Sequence, residues 1–448
     1  MASTTPPDQN DPSVYLHAEL LPNIRHITLH ISLPTTTTTT TSPGANTSDS
    51  SPLQISLSDS RRAVSIPLPA PHHDIAETMK LPARVSPASR RALSTSTNTS
   101  QGQPTPDGTR REYSFRMQVD PDEQTAAETD GFVPWTATDM SSSTRLRCLG
   151  CGSGVLTETG ADRERTGWVW KDLPSGNWAE MMDFWHCHKP DPVREDSRDG
   201  NGEGHGHEED PNAVVKGYGA ANQVVATPGT VLVDVATFLV AGGDCAGLKQ
   251  VRDFAVRSGN TDDSSEPDAI QCVNCDSLVG VEDTVAHGWR LFKTNLSASM
   301  EGHDPSQDSS WVSYPVETVV AAQLLEFIER ESTRRFVVHS GRKYGLLIWV
   351  FNPDLRYSNS SSHHSIAAQR AMKVFFQFLV DVDETLHPEP GKASPLSLEE
   401  LKLPPASYSA FAAALDQSNA MLPVSAREFR EWKVGILHRF ERSVGERT

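Results

Sequence analysis

The stretch "YGLLIWVFN", Tyr344 to Asn352, decides the fold class. It is nearly all apolar, so it reads as a strand covered on both faces, central in its sheet rather than at an edge. "RRFVVHS", just before it, is strand-like as well. Upstream, "PVETVVAAQLLEFIERES" places apolar residues at 316, 319, 320, 324, 327 and 328, the spacing of an amphipathic helix packed on a sheet. Downstream, "AMKVFFQFLV" fits helix or strand, and its aromatic and β-branched content favours a strand. In the closing "SAREFREWKVGILHRFE", Phe429, Trp432, Ile436 and Phe440 sit at spacings of three and four. Residues 301–448 are therefore expected to form an α+β lobe, a sheet with a few packed helices.

The beginning of the chain is β-rich by the same reasoning. "VYLHAELLPNIRHITLHISL" reads as two short strands around "LPN", with Ile24, Ile27, Leu29 and Ile31 in broken alternation. The threonine run Thr35–Thr41 then continues into "SPGANTSDSS", a tract that cannot bury a face and reads as a flexible hairpin insertion. "LQISLSDSRRAVSIPL" resumes the strand pattern, "STSTNTSQGQPTPDGT" interrupts it, and "REYSFRMQV" restores it. The expected division is a β-rich lobe over 1–140, a central region over 141–300 and the α+β lobe beyond. No repeat period is evident, which disfavours a solenoid or propeller.

Composition bounds the function. A length of 448 residues suits two or three lobes, and 37% hydrophobic residues with abundant Pro, Ser and Thr point to disordered insertions. A net charge of −18 without a basic stripe argues against direct nucleic-acid binding. The start "MASTTPPDQNDPSVY" lacks a signal peptide's basic and apolar regions, and no segment reaches the roughly 18 apolar residues of a membrane span. Cytosol or nucleus is the expected location. There the six cysteines should be reduced, and serve as metal ligands, nucleophiles or core residues.

Two Cys-x-x-Cys knuckles stand out, "CLGC" with Cys148 and Cys151, and "CVNC" with Cys272 and Cys275. Each is followed by a turn residue, Gly152 or Asp276, and each abuts a strand pattern. Four thiolates would close one tetrahedral structural zinc site. The 121 residues from Cys151 to Cys272 exceed the ordinary gap of about 15–20, so a domain-sized insertion is required. A set of Cys148, Cys151, Cys187 and His188 competes with it, as do reduced core thiols and a redox pair. His205 and His207, alternating with glycine in the acidic tract Arg194–Asp210, read as solvated loop.

The densest block is "DLPSGNWAEMMDFWHCH", Asp172 to His188. Asn177 can cap a helix with Glu180 reaching back, and Trp178, Met181, Met182 and Trp185 then share a face. Pro190 stops the helix and leaves His186, Cys187 and His188 at its C-terminal end. There the helix dipole raises a thiol's pKa while protonated histidines lower it, so Cys187 reads as nucleophile, ligand or buried thiol. With Trp168 and Trp170, the tryptophans suit a core that could mark a lobe junction or partner groove. Cys245 in "AGGDCAGL" has no histidine nearby and ranks below Cys187 as a nucleophile. No hydrolase elbow, Walker A loop, kinase signature, dinucleotide fingerprint or catalytic zinc motif occurs.

Taken in order, "CLGCG", "LPSGNWAEMMDFWHCH", "CVNCDSLVG" with "WRLFKTNL", "LLIWVFNPDLRYS" and "EWKVGILHRF" resemble the HECT-like ubiquitin ligases that bind a ubiquitin-conjugating enzyme (E2), over about 140–440. The resemblance implies an E3 ubiquitin-protein ligase that accepts ubiquitin from an E2 and passes it to protein lysines, by transthiolation and then aminolysis. It also implies Cys187 as the acceptor, the cysteine of the most specific block outside a Cys-x-x-Cys pair. An ordinary HECT ligase carries its acceptor near the C-terminus, and this chain has no cysteine after Cys275. Six cysteines cannot build the two-zinc cross-brace of a RING either. The competing expectation is a non-catalytic, zinc-stapled factor that binds an E2 or stabilises a client such as the mRNA 3′-end cleavage machinery. Expected partners are thus an E2, ubiquitin and a protein substrate, with no membrane and no direct nucleic acid.

Overall fold

A computed structural model of the chain describes residues 14–35, 53–68, 76–96, 102–123, 131–157, 167–173, 224–252, 267–299, 310–361, 368–388 and 398–442. The expected hairpin insertion beyond Thr35 and the acidic loop lie outside them. The described residues are α+β, rich in strands and with four α-helices. None of these helices is long and apolar enough to cross a membrane.

Contacts divide the chain into two compact units, one of residues 1–132, 316–321 and 333–448, the other of 133–315 and 322–332. The sequence-based boundaries near 140 and 300 fall differently, because the first unit joins both ends of the chain in one sheet. Of the ten described strands of its sheet, eight run in the order Glu428–Phe429, Trp432–His438, Gln369–Leu379, Gly345–Asn359, Tyr15–Leu21, His26–Pro34, Arg110–Gln118 and Gln103–Pro104. Arg335–His339 pairs with the start of Gly345–Asn359 and, in parallel, with Leu398–Lys402. The strand containing "YGLLIWVFN" is central, with Leu346, Ile348 and Val350 fully buried. "AMKVFFQFLV" lies within a strand, Gln369–Leu379.

Tyr15–Leu21 and His26–Pro34 are the two strands expected around "LPN", separated by a single 3-10 turn, Pro22–Ile24. Their alternate residues Leu16, Ala18, Leu20, Ile27, Leu29 and Ile31 face one core with Phe115 and Met117. Val64, Ile66 and Met79 of a three-stranded sheet pack into the same core. The two-residue period of a strand leaves the opposite face polar at His17 and Glu19. Burial there is offset by a buried ion pair, Lys373 Nζ standing 2.7 and 3.0 Å from the Glu19 carboxylate oxygens.

The helix expected from apolar spacing spans Val316–Glu331, buries Val319, Val320 and Leu324, and ends at Ser332 in the left-handed conformation. The three-and-four spacing of Phe429, Trp432 and Ile436 belongs to a hairpin and strand, because Arg430 turns the chain with φ 56°. A second long helix, Pro405–Met421, packs Leu415 and Ser418 against Gly435, where a side chain would meet Leu415 at 2.9 Å.

The second unit holds a seven-stranded sheet in the order Leu248–Val251, Ala269–Cys272, Leu278–Asp283, Gly288–Phe292, Thr237–Val240, Thr230–Val233 and Val169–Asp172. A three-stranded sheet of Trp311–Val312, Leu296–Ser299 and Arg145–Cys148 shares its core. Trp135 and Trp168 are buried in that core, and Trp170 is partly so. Lys293 is buried there too, donating to the Pro134 and Trp135 carbonyls at 2.8 and 2.9 Å.

Candidate metal centre

Both knuckles grow from the ends of strands in the second unit, Arg145–Cys148 in the smaller sheet and Ala269–Cys272 in the larger. Each folds back through the same pair of backbone hydrogen bonds. Cys148 N donates to Ser153 O and Gly152 N to Cys148 O, at 2.8 and 2.9 Å. Cys272 N donates to Ser277 O and Asp276 N to Cys272 O, each at 3.0 Å. The fold-back requires a left-handed residue after the second cysteine, and Gly152 and Asp276 supply it with φ 75° and 56°.

This geometry aims amides at sulfur. The amides of Gly150 and Cys151 bond the Cys148 thiolate, and those of Asn274 and Cys275 bond Cys272. The Ser153 and Ser277 amides bond Cys151 and Cys275, whose sulfurs also lie 3.2 Å from the Oγ of the same serines. Asn274 Nδ2 donates to Ser153 Oγ at 2.6 Å and so ties one knuckle to the other.

The two knuckles converge. The four sulfurs lie within 4.8 Å of one another, with Cys148 and Cys275 at 3.7 Å and Cys151 and Cys272 at 3.5 Å. A tetrahedron with metal–sulfur bonds of about 2.3 Å has edges of about 3.8 Å, so a single ion fits between them. Cys148 and Cys272 are buried, Cys275 is half-buried and Cys151 is exposed. Without a metal, burial pushes the Cys148 thiol up to about 12 and raises Cys272. Hydrogen bonds from Ser277 draw Cys275 down to about 6, and those from Ser153 lower Cys151. A cation bound by all four would provide the charge that buried thiolates lack. With four protein ligands no position is open for substrate, so the donor set suits a structural ion and is compatible with zinc.

The rival set with Cys187 and His188 is not needed, since Cys272 and Cys275 complete the four. Cys187, the Asn177-capped helix, His205 and His207 lie outside the described residues. Cys245 is half-buried, and burial, reinforced by the Asp244 carboxylate, pushes its thiol up to about 12.

The supporting serines escaped the sequence reading, although "CLGCGS" and "CVNCDS" repeat them at one spacing. Gly150 escaped it too. A Cβ there would meet Ser277 Oγ at 2.8 Å and Cys275 Sγ at 3.4 Å. Gly150→Ala is therefore expected to weaken metal retention by about tenfold or more, as loss of an outer-shell partner does. Competition against a chromophoric chelator measures it.

Comparison with known proteins finds relatives in two yeasts. A protein of Saccharomyces cerevisiae, uncharacterized by name, is 24% identical over 303 residues, covering 67% of this chain and 71% of the yeast protein. An uncharacterized protein of Schizosaccharomyces pombe is 23% identical over 323 residues, covering 70% and 79%. No solved structure matches. The model of the family described as HECT-like ubiquitin-conjugating enzyme (E2)-binding matches residues 19–434, which takes in both knuckles and most of both units. The chain therefore belongs to the HECT-like ubiquitin-conjugating enzyme (E2)-binding family.

Proposed function

We propose that this protein is a zinc-stapled, HECT-like E3 ubiquitin ligase of the cytosol or nucleus that accepts ubiquitin from an E2 on Cys187 and passes it to protein lysines. The observation that carries the assignment is the fate of the other thiols. Of six cysteines, four converge on one metal position and Cys245 is held protonated by burial, which leaves Cys187. In the first step the Cys187 thiolate attacks the E2–ubiquitin thioester carbonyl, and the E2 cysteine leaves as thiolate. In the second a lysine amine attacks the new thioester, forms an isopeptide bond, loses a proton and releases Cys187.

The test mixes the full chain with a panel of ubiquitin-charged E2 enzymes and follows ubiquitin on a non-reducing gel. A thiol-sensitive adduct is expected for the wild type and for Cys245→Ala, and none for Cys187→Ala. Cys187→Ser should convert it to a thiol-resistant ester. An adduct that survives in Cys187→Ala overturns the acceptor assignment. The closed four-cysteine set also suits a non-catalytic factor that holds an E2 or a client protein, and binding of an E2 with no adduct in any variant favours that reading.

A further inference from the structure

One end of the ten-stranded sheet carries a run of aromatic rings. Phe351 stacks on Phe375 with ring centroids 5.0 Å apart, and Phe375 on Phe429 at 4.9 Å with planes only 10° apart. Trp349 meets Phe375 edge-on at 5.3 Å and Trp432 at 6.1 Å. Phe375 and the neighbouring core are buried, yet Phe351 and Phe429 remain 46% and 43% exposed. Rings stacked on a rigid sheet and left in water are expensive unless something covers them.

The rim of this patch is arginine. The Arg335 guanidinium lies over the Trp349 ring at 5.6 Å and that of Arg430 over Phe429 at 5.5 Å, and Arg334 reaches the Phe351 carbonyl at 3.5 Å. None of these three has a carboxylate within ion-pair distance among the described residues, although the chain's net charge is −18. Glu428 and Glu431 belong to the same hairpin, but Glu431 accepts from the Trp432 indole at 3.1 Å. Exposed aromatic rings beside exposed arginines that lack a carboxylate partner among the described residues are the composition of a binding hot spot.

The geometry points to this face as the docking surface for the ubiquitin-conjugating enzyme, which would seat a bulky apolar side chain on Phe351 and Phe429, over the buried Phe375, and bring carboxylates to Arg334, Arg335 and Arg430. The inference rests on the E2-binding part of the proposed function and not on Cys187. The lack of a carboxylate partner for these arginines among the described residues argues for an acidic-rimmed partner, and the matched family region contains every residue of the patch.

Titration calorimetry with a panel of purified E2 enzymes tests it on the full, metal-loaded chain. Phe351→Ala with Phe429→Ala, and Arg335→Glu with Arg430→Glu, are each expected to weaken E2 binding about tenfold or more. Val225→Ser with Val285→Ser, which alters exposed apolar residues of the other unit away from the cysteine knuckles, should stay within about twofold of wild type. Circular dichroism establishes that each variant is folded. Unchanged affinity in both patch variants overturns the inference, as does loss confined to the Val225 and Val285 variant. A change in self-association without a change in E2 affinity assigns the face to a second copy of the chain and overturns it equally. If no E2 of the panel binds the wild type, the E2-binding reading itself fails and this inference with it.

Discussion

Chelation of the metal is expected to abolish cooperative folding of the unit built from residues 133–315 and 322–332. The knuckles stand on different sheets, and Cys148 and Cys272 are themselves members of the shared core. Removing the ion leaves those two thiols buried at 1% and 0% exposure and takes away the cross-link between segments 121 residues apart. Structural zinc contributes about 10–16 kcal/mol of apparent binding free energy in small zinc peptides, comparable with or above the roughly 5–15 kcal/mol that holds a whole domain together. The expected result is a red shift in tryptophan fluorescence as Trp135 and Trp168 meet water, loss of the thermal transition, and recovery on adding zinc. Cys148→Ser and Cys272→Ser should reproduce the chelated state. A chelated sample that keeps its thermal midpoint would show that the cysteines are packed thiols and that the core alone holds the sheets.

The parts of this architecture that were legible in the sequence are those written locally. Burial on both faces gives "YGLLIWVFN" its continuous apolar run, and one-sided packing gives Val316–Glu331 its helical spacing. Knuckle chemistry is local too, because the turn needs its cysteines three residues apart and a left-handed residue next. Pairing across the chain has no such trace. Nothing in "YLHAELL" names residues 356–359 as its neighbours, so the two ends of the chain read as separate lobes. The Pro405–Met421 helix was missed for a different reason. Its signals, Pro405 at the first turn and an alanine-rich middle, favour helix without drawing an apolar stripe. The hairpin at Arg430 shows the converse, where a tight turn set aromatic residues at spacings that imitate a helix.

Lys293 should make stability depend on pH in a way that one substitution removes. Its side chain is fully buried, its two acceptors are the Pro134 and Trp135 carbonyls, and its third direction meets the Phe238 ring 5.3 Å away. A neutral amine has two N–H donors, and the two carbonyls take both. Burial accordingly lowers its pKa to about 7, against smaller opposing effects of Asp234, Asp172 and Asp139. The unfolded lysine titrates near 10.4, so between about pH 7 and 10 the unfolded chain binds the extra proton and raising the pH favours the folded state. The contribution is complete above the unfolded pKa, is lost as the pH falls toward 7, and changes no further below that. At about 1.4 kcal/mol per pH unit the window is worth about 4 kcal/mol. Lys293→Met leaves two buried carbonyls without donors, a cost of about 1–3 kcal/mol each that does not vary with pH. Urea unfolding of metal-loaded wild type and Lys293→Met at pH 7, 8, 9 and 10 is therefore expected to show the difference in stability moving by about 4 kcal/mol toward the wild type as the pH rises. All other lysines cancel in that difference. A difference that stays level across the series would mean that the buried amine is charged in the folded protein, with the three aspartates rather than the two carbonyls holding it in the core.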